Sequence, residues 1–412
     1  MKSIWLMMLV LFFTFFLAGC GDRQELERQA FVVAIGLDKG EKDHLVDVTF
    51  QIVNSQVNTS QVAEAQKEPP SDIVTVAAPD LLSAKELVQT SHSRQITFSH
   101  LQTVIVGEKL AREDLFRHMI GSAIIDPEMR REALLIISKE EARKFIHANK
   151  PTMETRPHKY YEFMENRWRH TGYVPLSNLN VLFQRNKEEL FLGVYATAER
   201  DEEEKTDEDA YLAGDVPQKS GDPVQMIGSA VFQDRIMIGT LNGEETRISL
   251  LLRRKNLTKS MIASFPDPVN EDYRISVRLM QNGNTKIKVN TNQKPPKIHA
   301  EVPIKLQILS NPGLVDYTVH EKRQDALKRS VKKEMEQASG SLIKKMQNKF
   351  KGEPFVWYAE ARKNFWTMKQ FEEYKWEKQF QHAKVDVQYH VTIENFGEQI
   401  RPPTIENREK DD

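Results

Sequence analysis

The chain reads as a multi-domain α/β (α+β) protein, with mixed sheets, packed helices and a long amphipathic helix in its C-terminal part. Three observations predict this. Runs of period-2 apolar alternation recur from Phe31 to Ile393, the pattern of half-buried strands. Between them lie segments with helix-start signals and apolar residues three or four apart. The 412 residues, 40% hydrophobic and 28% charged, are ordinary globular composition at a length that holds two or three domains.

The chain begins with a leader rather than a domain. Lys2 is followed by an apolar run from Ile4 to Ala18 and the small-residue site Leu17-Ala18-Gly19-Cys20, the three-part layout of a secretory signal. The run is shorter than the roughly 20 apolar residues a spanning helix needs. A membrane anchor or a buried core helix is the competing reading, and the polar stretch Gly21 to Arg28 argues against the buried helix. Cys20 is the only cysteine, which excludes an internal disulfide and any thiolate metal site. A lone thiol at the end of such a leader is the substrate for diacylglyceryl transfer, followed by cleavage before the cysteine. Two or more acyl chains there would anchor the body stably, where a single chain would not.

Behind the leader, Phe31, Val33, Ile35 and Leu37 alternate, as do Val46, Val48, Phe50 and Ile52, with Asp38 to Glu41 as a turn between them. That is a β-hairpin. Residues 54–71 are polar, with Pro69-Pro70, and read as a loop. Ile73 to Ala77 is a short strand, and Pro79 precedes a helix with Leu81, Leu82, Leu87 and Val88 as its apolar face. Leu101 to Val106 and Leu134 to Ile137 are buried strands, with a helix over 108–120 between them. Ser138 to Glu141 has capping-box spacing ahead of a helix through Ile146. Lys159 to His170 is helical. Asp201 to Asp209 holds seven acidic residues in nine, which reads as a solvated linker or loop because like charges repel and resist burial. A calcium loop is the sharper alternative, but the alternating ligands and turn glycine are missing.

The second half repeats the alternation. Two β-like runs lie within Ala230 to Gly239, and Leu241-Asn242-Gly243-Glu244 is a turn signal. Ile275, Val277 and Leu279 alternate, then Ile287 and Val289, then the long run Ile298 to Ile308. Pro303 within that run predicts an edge strand or a bulge. After Asn311-Pro312-Gly313, the residues Val319, Leu327, Val331, Met335, Ala338, Leu342, Met346 and Phe350 mark one face of a helix. It is expected to pack on its own sheet rather than to form a coiled coil. A Trp- and Lys-rich helix follows, read as helix packing with snorkelling lysines, with bilayer contact as the lesser alternative. Val385 to Ile393 is the last strand, and 401–412 is a polar tail.

The chain offers no recognisable chemistry. Its 58 basic and 59 acidic residues nearly cancel, so no global field favours nucleic acid. The eleven histidines lack metal-ligand spacing. No nucleophile elbow, P-loop or dinucleotide fingerprint occurs. Ser91-His92 and Ser99-His100 are sequence neighbours that a strand would point to opposite faces. Asp126-Pro127-Glu128 reads as a turn rather than a carboxylate pair. No enzyme activity, cofactor or metal is therefore expected.

Several stretches in order resemble the Ger(x)C family, the C subunits of spore germinant receptors. These are Gly19-Cys20-Gly21-Asp22-Arg23-Gln24-Glu25-Leu26, Ala34-Ile35-Gly36-Leu37-Asp38-Lys39, and Ser99-His100-Leu101 through Gly107-Glu108 to Ala111-Arg112. Asp126-Pro127-Glu128 to Arg130, Gly228 to Phe232, and Leu241 to Arg247 complete the series. Gly21 stands where that family usually has Trp. The resemblance implies three small α/β domains and no catalysis. It implies a lipoprotein on the outer face of the inner spore membrane, working with A and B membrane subunits in nutrient sensing. Cys20, as N-palmitoyl and S-diacylglycerol cysteine, is the one functional residue carried over. Direct germinant binding is left open. The expected division is a signal peptide over 1–19, an α/β region over 20–200 and an acidic linker or loop over 201–222. A second α/β region over 223–400, with a split near 295, and the tail 401–412 follow. A solute-binding lipoprotein of a transporter is the alternative from another class, and a cell-wall hydrolase would need an acid–base pair that is not found.

Overall fold

In the computed structural model, which describes residues 28–396 except 54–70, 155, 186–188, 202–203, 206 and 256–257, together with Trp5, the alternating runs pair into two mixed sheets. The leader, Cys20, most of the expected 54–71 loop and the 401–412 tail lie outside the described residues.

The first sheet has nine strands: β1 (Gln29–Lys39), β2 (Val46–Val53), β3 (Ser71–Ala78), β4 (Gln95–Thr97), β5 (Thr103–Gly107), β6 (Leu134–Ser138), β7 (Leu190–Thr197), β8 (Gln225–Gln233) and β9 (Ile236–Leu241). Their order is β3-β2-β1-β5-β6-β7-β8-β9, with β4 alongside β1. The centre, β1-β5-β6-β7, is parallel, and both flanks are antiparallel. Every residue of β5 and β6 is buried, as a parallel strand covered on both faces requires. One face carries α1 (Leu81–Gln89), α2 (Glu108–Ala111) and α3 (Asp114–Ala123). The other carries α4 (Ala142–Ala148) and α5 (Pro157–Thr171), which pack Phe145, Ile146, Tyr161 and Trp168 over Ile105, Ile136 and Val194. A short α6 (Leu179–Gln184) leads into β7.

Two local expectations are corrected here. In α1 the buried residues are Leu81, Ala84 and Val88, while Leu82 and Leu87 are exposed. Its start is set by Asp80, which accepts from the Ser83 amide at 2.8 Å, rather than by Pro79. The Ser138–Glu141 capping box does not form, because Ser138 is the last residue of β6. The cap comes from a distant strand instead. Asp38 accepts from the amides of Ala142 at 2.6 Å and Arg143 at 2.9 Å, satisfying two donors that α4 cannot satisfy internally. Asp38→Ala is expected to cost about 1–2 kcal/mol, measured as a lower urea midpoint with an unchanged slope.

Beyond β9, α7 (Gly243–Leu251) crosses to a five-stranded sheet: β10 (Met261–Pro266), β11 (Arg274–Gln281), β12 (Lys286–Asn290), β13 (Lys297–Ser310) and β14 (Lys384–Asn395). The strand β13 is central. It pairs with β12 over 297–301 and with β11 over 304–310 on one side, and with β14 on the other. Pro303 therefore lies in a central strand, not at an edge. It is tolerated because it falls in the gap between the β12 and β11 ladders, where no amide is required.

Between the parallel strands β13 and β14 runs α8 (Glu321–Lys345), continued by a wider turn, Met346–Phe350. It lays Leu327, Val331, Met335, Leu342 and Ile343 on its own sheet, each contributing about 1.5–3 kcal/mol by leaving water. Val319 precedes the helix and is 61% exposed, so it does not belong to that face. The expected Trp- and Lys-rich helix is three short ones: α9 (Tyr358–Arg362), α10 (Met368–Tyr374) and α11 (Trp376–Phe380). A Thr367–Gln370 capping box opens α10, and Lys375 in the left-handed region closes it. Trp376 and Phe380 face the core, whereas Trp366 is 95% exposed. The second core also takes Leu190, Leu192 and Val231 from the first sheet, so the two sheets share apolar contacts.

Candidate functional site

Cys20, the one functional residue expected from the sequence, lies outside the described residues. Gly19 and Gly21 to Leu26 of the first motif lie outside the described residues too; of the later motifs, several polar residues have specific partners. Asp38 caps α4, and Gly107 is glycine because an added Cβ would collide with the Asp38 carboxylate. Glu108 accepts from the Tyr195 hydroxyl at 2.6 Å and pairs with Arg112 one turn later at 2.6 Å. Glu128 accepts from the Phe98 amide at 3.1 Å, the Thr97 hydroxyl at 3.0 Å and Lys85 at 3.0 Å. Burial works against its charge, but these donors prevail and hold its carboxyl below the usual range. Asp126-Pro127-Glu128 is thus a turn whose Glu128 staples three segments, as the turn reading requires.

The block from Leu241 to Arg247 does more than turn the chain. Asn242 caps α7 by accepting from the Glu245 amide at 2.8 Å, and Glu245 returns a bond from the Asn242 amide at 3.1 Å. Glu245 also holds Lys345, at the end of α8, at 2.6 Å. Arg247 is buried. Its Nε donates to the Thr171 carbonyl at 3.0 Å, Nη1 donates to Asp209 at 3.2 Å, and the guanidinium lies 3.8 Å from the centre of the Tyr173 ring.

The acidic stretch supplies the other side of this joint, which corrects the expectation of a wholly solvated segment. Asp207 pairs with Arg274 at 2.5 Å, and Glu208 accepts from the Ser264 amide and hydroxyl, each at 2.6 Å. Asp209 meets Arg247. The charges are accommodated because each carboxylate finds a donor from an element beyond the linker. A small cavity of about 60 Å³ remains between these carboxylates and α8. Burial, reinforced by Asp209 and Asp207, pushes the Glu244 carboxyl up to about 7. Burial also raises Asp209, against the pull of Arg247.

This joint was missed by sequence reading, although one signal was present. Asn242 followed three residues later by Glu245 is a capping-box pattern, beyond the turn that Leu241 to Glu244 predicts. The arrangement is mechanical. It ties the acidic segment, α7, α8 and the second sheet together with matched ions. No group of three or more His, Cys, Asp or Glu is placed to hold a metal ion among the described residues. No helix among the described residues is long and apolar enough to cross a membrane.

Comparison with known proteins places this architecture. The family described as "Spore germination protein N-terminal domain" matches residues 22–193, and "Spore germination B3/ GerAC like, C-terminal" matches residues 227–397. A provisionally named spore germination protein, YfkR of Bacillus subtilis (strain 168), is 23% identical over 402 residues, 96% of this chain and 97% of that one. Spore germination protein KC of the same organism is 26% identical over 148 residues, 35% of this chain and 36% of that one. The crystal structure of the GerBC protein shares the fold, with a TM-score of 0.50 and 15% identity, covering 90% of this chain and 99% of that one. With both domain models matched in order and the two-sheet body shared with GerBC, the chain belongs to the Ger(x)C family of spore germination proteins.

Proposed function

We propose that the chain is a lipid-anchored, non-catalytic subunit of a nutrient germinant receptor. Diacylglyceryl and palmitoyl groups on Cys20 hold it to the outer face of the inner spore membrane, beside A and B membrane subunits. The observation that carries this reading is the family match, which begins at residue 22, two residues behind Cys20, and resumes to reach 397. The short leader supplies what that position requires: a small-residue cleavage site and a single thiol to carry the diacylglyceryl group. Anchoring raises the local concentration of the body near its partners, so weak contacts suffice for assembly. Among the described motif residues, the carboxylates of Asp38, Glu108, Glu128 and Glu245 are engaged by caps, ion pairs and staples, which supports a scaffolding role. In this reading the body divides into regions 20–200 and 223–400 around the acidic segment. There β8 and β9 return to the first sheet and fasten the second region to it.

The test is Cys20→Ala. Metabolic labelling with a palmitate analogue should fall to background in the variant, and nutrient-triggered germination should drop at least tenfold. Germination by a stimulus that bypasses receptors should be unchanged. Undiminished labelling of Cys20→Ala would sink the anchor, and wild-type nutrient germination without labelling would sink its importance.

A further inference from the structure

The connection from α9 to α10 carries an exposed apolar tip. Trp366 is 95% exposed and Met368 is 54% exposed, with an exposed Thr367 between them. The backbone beneath them is fixed. Gln370 Oε1 accepts from the Trp366 amide at 3.1 Å and the Thr367 amide at 3.2 Å. Arg362 donates from Nη1 to the Phe365 carbonyl at 2.6 Å. The Phe365 ring lies 5.5 Å from that of Phe371 and 5.0 Å from that of Tyr374. These contacts hold the chain on both sides of the indole and leave the indole itself in water.

The surroundings of the tip are basic. From Lys363 to Gln370 there is no acidic residue. Asn364 Nδ2 donates to the Val289 carbonyl at 2.9 Å, which ties this segment to β12 at the border of the second sheet. That strand and the turn to β13 add Lys286, Lys288, Lys294 and Lys297, again without an acidic residue. Glu360 answers Lys363 at 2.6 Å, and Glu301 lies 3.9 Å from Lys286. Lys288, Lys294, Lys297 and Lys369 are exposed and have no ionic partner among the described residues. Lys297 also faces Lys384 across the ladder with β14, a like-charged pair that an anionic partner would relieve.

An indole flanked by lysines suits the bilayer–water interface, where the ring sits at headgroup depth and the cations meet phosphates. A single-stranded nucleic acid would need several open rings on which successive bases stack. Here Phe365, Phe371 and Tyr374 are half-buried against one another, and Trp366 alone of the four is open.

We propose that Trp366 and Met368 insert into the headgroup region of an anionic bilayer, with Lys369 and the β12–β13 lysines on the lipid phosphates. This gives the body a second membrane contact, on the second sheet, and turns that region towards the bilayer. The inference rests on the membrane position that the receptor reading gives the body. The two fail separately, because acyl labelling reports Cys20 and indole fluorescence reports Trp366.

The experiment reconstitutes the full chain with vesicles of equal phosphatidylcholine and phosphatidylglycerol, with or without bromine on the upper acyl chains. Trp168, Trp357 and Trp376 are buried, and the difference in emission between wild type and Trp366→Ala isolates Trp366. That difference should lie to the blue of an indole in water and fall roughly twofold or more with brominated lipid, as for a ring at headgroup level. Quenching should weaken in vesicles of phosphatidylcholine alone, and in the combined variant Lys288→Glu, Lys294→Glu, Lys369→Glu. It should also weaken at about 1 M salt, where charges are screened beyond about 3 Å. All four positions are exposed, so both variants should keep the wild-type urea midpoint, which is measured alongside. A Trp366 emission that stays water-like and unquenched would overturn the membrane contact and leave the tip to a protein partner. Quenching that is equal in both lipid compositions and untouched by the lysine variant would overturn the role given to the lysines.

Discussion

Replacing Arg247 with alanine is expected to lower the stability of the protein by about 3–5 kcal/mol, the range for removing one partner of a buried ion pair. The side chain is 5% exposed and its partner Asp209 is 17% exposed, so the surviving carboxylate would stay largely out of water. The Thr171 carbonyl and the Tyr173 ring lose their cationic neighbour in the same step. Some of the loss is packing, since the arginine stem fills space beside α7. Arg247→Met keeps most of that volume and separates the two contributions. In Arg247→Met with Asp209→Asn the stranded charge is gone, and most of the stability should return. Urea denaturation of wild type, Arg247→Met, Asp209→Asn and the double variant supplies the cycle. Limited proteolysis adds a local readout, because cleavage within 201–222 should accelerate in Arg247→Ala. Additive single effects with no recovery in the double variant would show that Arg247 and Asp209 act independently.

Arg247 also shows where the sequence stops being legible. The alternation in Val46 to Ile52 or Ile298 to Ile308 predicts strands because a sheet imposes its period on local residues. The face of α8 is readable for the same reason. The acidic run from Asp201 to Asp209 carries no such period. Its fate depends on Arg247, Arg274 and Ser264, which lie 38–67 positions from it in the chain and come close only after both sheets form. Asp38 capping α4 from 104 residues away is the same case. The Ser138–Glu141 signal was locally sound, and the parallel ladder of β6 with β5 and β7 overrode it by claiming Ser138. At Pro303 the pattern shows that a strand lacks a donor, but not that two shorter neighbours leave a gap opposite it. Cys20 is expected from the leader and the single thiol, and lies outside the described residues.

The second large effect concerns pH, and it follows from Glu353 at the base of the second core. This carboxyl is 2% exposed, sits between the end of α8 and α9, and accepts from the Tyr358 amide at 2.8 Å and Trp376 Nε1 at 3.3 Å. Its other oxygen has no partner among the described residues. Burial outweighs those donors and pushes the group up to about 7. Below the unfolded-state value near 4.5, both states are protonated and the contribution to stability is complete. As pH rises from there to about 7, the unfolded chain releases the proton while the native state keeps it, so stability falls. Above about 7 both are ionised and the loss is complete, of the order of 3–4 kcal/mol at about 1.4 kcal/mol per unit. Glu353→Gln retains an acceptor for Tyr358 and Trp376 but cannot ionise. Its stability should match the wild type near pH 4 and exceed it by roughly 3–4 kcal/mol near pH 8. Glu244 titrates in the same window and in the same direction, so the wild-type slope alone assigns nothing. The difference between wild type and Glu353→Gln, measured by urea denaturation at several pH values, cancels the Glu244 contribution because both proteins carry it. A difference that stays flat from pH 5 to 8 would mean that Glu353 is already ionised in the native protein. The buried Arg253 guanidinium, whose charge favours that ionised form, would then have to balance it.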